Sequence, residues 1–83
     1  MTTKELEKAV AAYCENPYWR NLYESAPKGA REYLAATFAA SESDADDAGD
    51  FVQGVEKRLG KSDREWLAKH LPNAQARSHF KAK

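Results

Sequence analysis

Residues 59–73 read LGKSDREWLAKHLPN and contain both ends of one short helix. The Ser62 hydroxyl can accept the backbone N–H of Glu65 while the Glu65 carboxylate accepts the N–H of Ser62, and this reciprocal pair is the capping box of a helix N-terminus. Proline lacks an N–H and its ring clashes with the preceding turn, so Pro72 ends the helix. We therefore predict a helix that begins at Asp63 and stops before Pro72.

Similar helix boundaries occur along the rest of the chain. Gly60 suits the left-handed position that follows a helix C-terminus. Asn16 can cap a helix whose first residue is Pro17, and Asn73 can cap a last helix. Apolar residues between these boundaries recur every three or four positions, and no segment alternates as a half-buried strand does. The sequence therefore predicts an all-α fold, a small compact bundle of five to six short helices in a single domain. Residues 73–83 hold little apolar surface, so the final helix is expected to be marginal or frayed.

The predicted core uses most of the large apolar side chains. A domain of 83 residues buries only about 60 to 65% of the surface that it exposes when unfolded, so few such side chains can be spared. The alanines at positions 35, 36, 39 and 40 would permit close contacts between helices. The side chains expected in the core are Leu6, Val10, Tyr13, Leu22, Leu34, Phe38, Phe51, Val55, Leu59, Trp66 and Leu71.

The charged residues are segregated although the formal net charge is zero. Residues 41–50 hold five acids and no base, whereas residues 51–83 hold eight bases and three acids. A helix from about Asp46 to Leu59 would place acids at its positive N-terminal end and bases at its negative C-terminal end, and each such charge stabilises by roughly 0.3 to 1 kcal/mol. The remaining bases predict a basic surface on the last two helices, formed by Lys61, Arg64, Lys69, Arg77 and Lys81.

An interaction surface is predicted on the short second helix. Tyr18, Trp19 and Tyr23, together with Leu22, offer more apolar surface than two helical turns can bury on one side. Tyrosine and tryptophan are also the residues that dominate binding hot spots. We therefore predict a small non-enzymatic protein-protein interaction or regulatory module. Its partner would be another protein or a second copy of this chain in a homodimer.

Nucleic-acid binding through residues 61–83 is the alternative. These residues have the outline of a helix, a short turn and a second helix. The second helix offers Gln75, Arg77, Ser78 and Lys81 to base edges or phosphates. The turn lacks the glycine that such motifs usually contain. The acidic stretch would also repel phosphates if it shared a face with the basic one.

A cation-responsive module built on Asp44, Asp46 and Asp50 is the third candidate. In the register of a calcium-binding EF-hand loop, Asp44 and Asp46 would occupy positions 1 and 3. Ala48 and Val55 then occupy positions 5 and 12, where oxygen ligands are required. Two missing ligands argue against a tight site.

Cys14 lies on the apolar face of the first helix, which predicts an inert core thiol. Together with His70 and His79 it offers at most three zinc ligands, whereas a structural site takes four. A catalytic cysteine-histidine pair would also need a third, orienting group. We predict no enzyme activity, no metal and no cofactor. A single cysteine favours a cytoplasmic location, and the longest apolar run, residues 34–40, is too short to span a membrane.

Overall fold

The computed structural model describes residues 3–42 and 48–81, and these residues form six helices and no strand. The helices are α1 (Thr3–Tyr13), α2 (Pro17–Ser25), α3 (Lys28–Glu42), α4 (Ala48–Lys57), α5 (Lys61–His70) and α6 (Ala74–Lys81). The prediction of an all-α bundle of five to six short helices is therefore confirmed. The Cα radius of gyration is 12.1 Å, close to the value of about 12 Å expected for one globule of this length.

Helix α3 lies at the centre and packs against α1, α2, α4 and α5. Short side chains let the axes of neighbouring helices come close together, and α3 uses alanine for this purpose, as its composition predicts. Its buried residues are Ala30, Leu34, Ala35, Ala36, Phe38 and Ala39.

Two of the predicted caps are present. The Asn16 side chain accepts the N–H of Tyr18 at 2.9 Å, and Pro17 is the first residue of α2. The Asn73 side chain accepts the N–H of Gln75 at 2.8 Å at the start of α6. Each cap satisfies a backbone donor that the first turn of a helix leaves without a partner.

The start of α5 differs from the prediction. The helix begins at Lys61, two residues early, and its N-cap is Gly60 rather than Ser62. Gly60 has a φ of −82°, so it does not adopt the left-handed conformation expected of it. The carboxylate that accepts the Gly60 N–H, at 3.3 Å, belongs to Asp63.

A contact with α3 explains this register. Gly29, in the first turn of α3, has no side chain, and a Cβ atom there would overlap the Asp63 carboxylate. With any other residue at position 29, the Asp63 carboxylate would have to rotate out of its place between the two helix starts. A capping box at Ser62 and Glu65 depends on local sequence alone, and this tertiary contact competes with it.

Helix α4 ends at Lys57, two residues earlier than predicted. Asp50 lies in its first turn and Lys57 in its last turn, as the charge pattern of the helix predicts. The N–H groups of Arg58 and Leu59 donate to carbonyls three residues earlier, at 3.0 and 3.1 Å, which tightens the chain beyond the helix end. The predicted start of this helix, Asp46, lies outside the described residues.

The core gathers around α3 and α5. Four residues of the predicted core are buried, namely Leu34, Phe38, Val55 and Leu71, and the other seven are half-buried. Leu67 is completely buried and Phe80 is only 3% exposed, although Phe80 lies on the final helix, which is expected to be marginal. The Phe80 ring meets the Tyr33 ring edge-on, with centroids 5.2 Å apart, and so joins α6 to α3. None of the described helices is both long and apolar enough to cross a bilayer.

Candidate functional site

A concave apolar surface lies where α1, α2 and α3 meet the turn between α5 and α6. We call it the aromatic groove. It encloses about 290 Å³. Its walls are formed mainly by Tyr13, Trp19, Tyr33, Phe38, Leu71 and Ala76.

Ring contacts fix the aromatic wall of this groove. Tyr13 of α1 stacks on Phe38 of α3 with a centroid separation of 4.3 Å and an interplanar angle of 6°. Trp19 of α2 meets both rings edge-on, at 5.9 Å from Tyr13 and 5.5 Å from Phe38. Offset-stacked and edge-on pairs are the favourable arrangements of aromatic rings. Three helices therefore hold one preformed aromatic surface.

Three hydroxyl groups beside the groove, those of Tyr13, Thr37 and Ser41, already have partners within the protein. Thr37 Oγ1 donates to the Leu34 carbonyl at 2.8 Å, and Ser41 Oγ donates to the Phe38 carbonyl at 2.9 Å. Because the Ser41 proton is used in this way, the hydrogen bond between Ser41 and Tyr13 has the tyrosine as its donor. The groove therefore offers mainly apolar contact to a ligand.

The predicted interaction residues have three different environments. Tyr18 is 52% exposed and borders a smaller cleft of about 250 Å³ that Leu22, Trp66 and His70 also line. Trp19 is half-buried and lines the aromatic groove. Tyr23 is half-buried and packs beside Phe38 at 6.5 Å. Trp19 is thus the member of the predicted trio that belongs to the groove.

A second concave surface lies along α5 and the end of α6, and we call it the basic groove. Four of the five residues of the predicted basic surface line it: Lys61, Arg64, Lys69 and Lys81. Glu65, Ala68 and Phe80 complete its described lining, and its volume is about 600 Å³. The two grooves share none of their described lining residues.

Arg77, the fifth residue of the predicted basic surface, is used inside the fold. It is half-buried, and its Nη1 donates to the carbonyl of Leu71 at the end of α5. A cation at that position also interacts favourably with the negative C-terminal end of the helix dipole. Arg77 therefore stabilises the α5–α6 turn and does not line the basic groove.

Glu56 connects α4 to the last two helices. Its carbonyl accepts Nη2 of Arg64 at 2.9 Å, and its carboxylate contacts the ring of His79. Burial raises the pKa of the Tyr33 hydroxyl above its ordinary value, and the nearby Glu56 carboxylate raises this pKa further. The Tyr33 phenol is therefore neutral at physiological pH.

The thiol of Cys14 does not have the environment of an activated nucleophile. Burial raises its pKa, the Glu24 carboxylate raises it further, and Arg20 only partly offsets these effects. A raised pKa lowers the fraction of thiolate, which is the reactive form.

Within residues 3–42 and 48–81, no three His, Cys, Asp or Glu side chains come together in a way that could hold a metal ion. Of the residues in the cation hypothesis, Asp50 is exposed in the first turn of α4, whereas Asp44 and Asp46 lie outside the described residues.

The sequence predicts several residues of the aromatic groove as core residues and predicts no groove. Tyr13, Phe38 and Leu71 fall on apolar helix faces, and periodicity alone does not distinguish a side chain that lines a surface groove from one that is fully enclosed. The sequence does not indicate that Ala76 lines a groove, because Ala76 lies on a helix that is expected to be marginal. The sequence indicates a binding surface in this region through the excess of aromatic residues around Trp19.

The chain matches no protein-family model, and no curated protein and no solved structure is significantly similar to it. Function must therefore be inferred from the two grooves themselves.

Proposed function

We propose that this chain is a non-enzymatic protein-interaction module that captures a large apolar side chain of a partner protein in the aromatic groove. The observation that carries the proposal is the preformed wall of Tyr13, Trp19 and Phe38, which three different helices hold in fixed ring contacts. A rigid wall favours binding because little conformational entropy is lost when the partner arrives.

The size of the groove favours a side chain over a whole small molecule. Pockets for drug-sized ligands and cofactors generally occupy about 300 to 1,000 Å³, and the aromatic groove, at about 290 Å³, lies just below that range. Burying one large apolar side chain contributes roughly 1.5 to 3 kcal/mol. An anchor of this kind, with contacts around it, suits a module that binds proteins.

A location in the cytoplasm is part of this proposal, since Cys14 is a single cysteine with a free thiol.

Selection from a phage library of random peptides tests this proposal. The expected result is a set of peptides that share one large aromatic or aliphatic residue. Substitution of that residue by alanine should weaken binding about tenfold or more, since 1.4 kcal/mol corresponds to a factor of ten.

Two tryptophan substitutions on α6 form a matched pair for the same test. Ala76 lines the aromatic groove, so A76W should fill the groove and abolish selection of the peptides. Ala74 is exposed on the same helix, and A74W should leave binding unchanged. Circular dichroism melts would establish that both variants fold. Equal binding of the selected peptides to A76W and to the wild type would refute the proposal.

A further inference from the structure

The basic groove has an ordered arrangement of charge. Lys61, Glu65 and Lys69 are spaced four residues apart, so they lie along one stripe of α5. The two lysines are eight positions apart, which places them about 12 Å apart along the helix axis at 1.5 Å per residue. Lys61, Lys69 and Lys81 are exposed, and Arg64 is half-buried.

The floor of the basic groove is apolar. Ala68 and Phe80 line it, and both are buried in the protein, at 7% and 3% exposure. The Arg64 guanidinium is anchored on the Glu56 carbonyl, so its charge is held in place beside this floor. The groove therefore combines fixed and flexible cations with an apolar base.

We propose that the basic groove binds an acidic peptide segment of a partner protein, in which two carboxylates about 12 Å apart flank an apolar side chain. This goes beyond the aromatic groove because it concerns a different surface with different chemistry. Four cations and one carboxylate line the groove, so the complementary ligand is an anion. Charge complementarity of this kind sets the orientation and the association rate of a binding segment.

The spacing of the cations selects an extended ligand over a small anion. The two lysines are attached about 12 Å apart along the helix axis, so a single phosphate or carboxylate that contacts both must draw the two side chains together and restrict their rotamers. An extended peptide advances about 3.3 Å per residue, so acidic side chains four residues apart on the same peptide face reach both.

Glu65 and Arg77 favour a peptide over a nucleic acid. Glu65 stands midway between the two lysines, so an uninterrupted run of phosphates along the stripe would meet a like charge. A peptide avoids this repulsion by placing an amide or another hydrogen-bond donor opposite Glu65. Arg77, which a nucleic-acid interface on α6 would use, already donates to the Leu71 carbonyl.

The test uses a fluorescein-labelled peptide, Ala-Glu-Ala-Leu-Ala-Glu-Ala, in which the two glutamates and the leucine between them share one face of the extended chain. Fluorescence anisotropy would follow its binding to the full chain at about 50 mM and about 200 mM salt. Saturable binding that weakens as salt rises is expected. The same peptide with both glutamates replaced by glutamine should bind at least tenfold more weakly, because it retains the apolar residues and loses the charges.

Charge reversals on the protein supply the matched controls. Binding of the peptide should weaken at least tenfold in the double variant K61E/K69E, since each change removes an attraction and adds a repulsion. The double variant K4E/K8E changes the net charge equally at two exposed positions on α1, outside the groove, and should alter binding less than twofold. If K61E/K69E fails to fold, K61Q/K69Q replaces it, with at least threefold weakening expected.

The contrary outcomes are equally definite. Failure of the peptide to bind at millimolar concentration, or equal weakening by the two reversals, would overturn the proposal. A mixed-sequence oligonucleotide that binds more tightly than the peptide, and loses affinity in K61E/K69E, would assign the groove to nucleic acid instead. The variant A76W should bind the acidic peptide like the wild type, so the outcomes for the two grooves are independent.

Discussion

Replacement of Phe80 by alanine tests how firmly α6 is attached to the rest of the fold. The Phe80 side chain is 3% exposed and belongs to the core cluster that contains Leu34, Leu67 and Leu71. Its ring meets Tyr33 of α3 edge-on, with an interplanar angle of 89°. Because Phe80 is the buried residue of α6, the substitution removes the main apolar anchor of the helix.

The expected loss is large for a chain of this size. Truncation of a buried phenylalanine to alanine typically lowers the free energy of unfolding by about 3 to 5 kcal/mol. At roughly 0.05 to 0.15 kcal/mol per residue, the whole chain would have only about 4 to 12 kcal/mol. A change of 1 kcal/mol shifts Tm by about 4 to 8 °C in a domain of this length, so F80A should lower Tm by more than about 12 °C.

Urea denaturation followed by far-ultraviolet circular dichroism measures this loss. The control is S78A, at an exposed position on the same helix, where the free energy of unfolding should change by no more than about 0.5 kcal/mol. A loss below about 1 kcal/mol in F80A would refute the packing described for α6. It would instead favour the frayed C-terminal segment that the sequence predicts.

Two further predictions concern Gly29 and Tyr33. The substitution G29A should lower the free energy of unfolding in the wild type, because its methyl group displaces the Asp63 carboxylate from the Gly60 N–H. In a D63A background, G29A should instead raise the free energy of unfolding by about 0.4 to 1 kcal/mol, since alanine restricts the unfolded chain more than glycine does. Urea denaturation of the wild type, the two single variants and the double variant measures both effects. A change of the same sign in both backgrounds would contradict the contact. The pKa of Tyr33 is raised in the folded chain. Between the unfolded pKa of about 10 and the folded pKa, the folded state therefore binds more protons than the unfolded state. The free energy of unfolding should fall as pH rises through this window. Thermal melts above about pH 10 should show a shallower loss in Y33F than in the wild type, and equal slopes would argue against the buried phenol.

Local sequence patterns predict the helices better than the contacts between them. Asn16 and Asn73 act as caps through their own backbone neighbours, so their roles follow from the sequence alone. The start of α5 does not, because Asp63 occupies a space that exists only when Gly29 of another helix approaches it. The burial of Phe80 does not follow from local sequence either, since it depends on Tyr33, which is 47 positions away in the chain.

The candidate surfaces show the same difference. The bases of the basic groove could be found in the sequence because charge segregates along the chain, but the separate role of Arg77 depends on the folded turn. For the aromatic groove the sequence indicated Trp19 and an excess of aromatic residues. The stacking of Tyr13 on Phe38 joins helices that are separated in the sequence, so it could not be predicted from local sequence patterns.

The most direct test of the aromatic groove uses the two tryptophans of the chain as reporters. Trp19 lines the groove, whereas Trp66 stacks on His70 and borders the smaller cleft beside Tyr18. In W66F the remaining emission comes from Trp19, and in W19F it comes from Trp66. A phage-selected peptide that lacks tryptophan should shift or quench the emission of W66F in a saturable way and leave that of W19F unchanged. A saturable response in W19F alone, with none in W66F, would place the ligand elsewhere and contradict the proposed function.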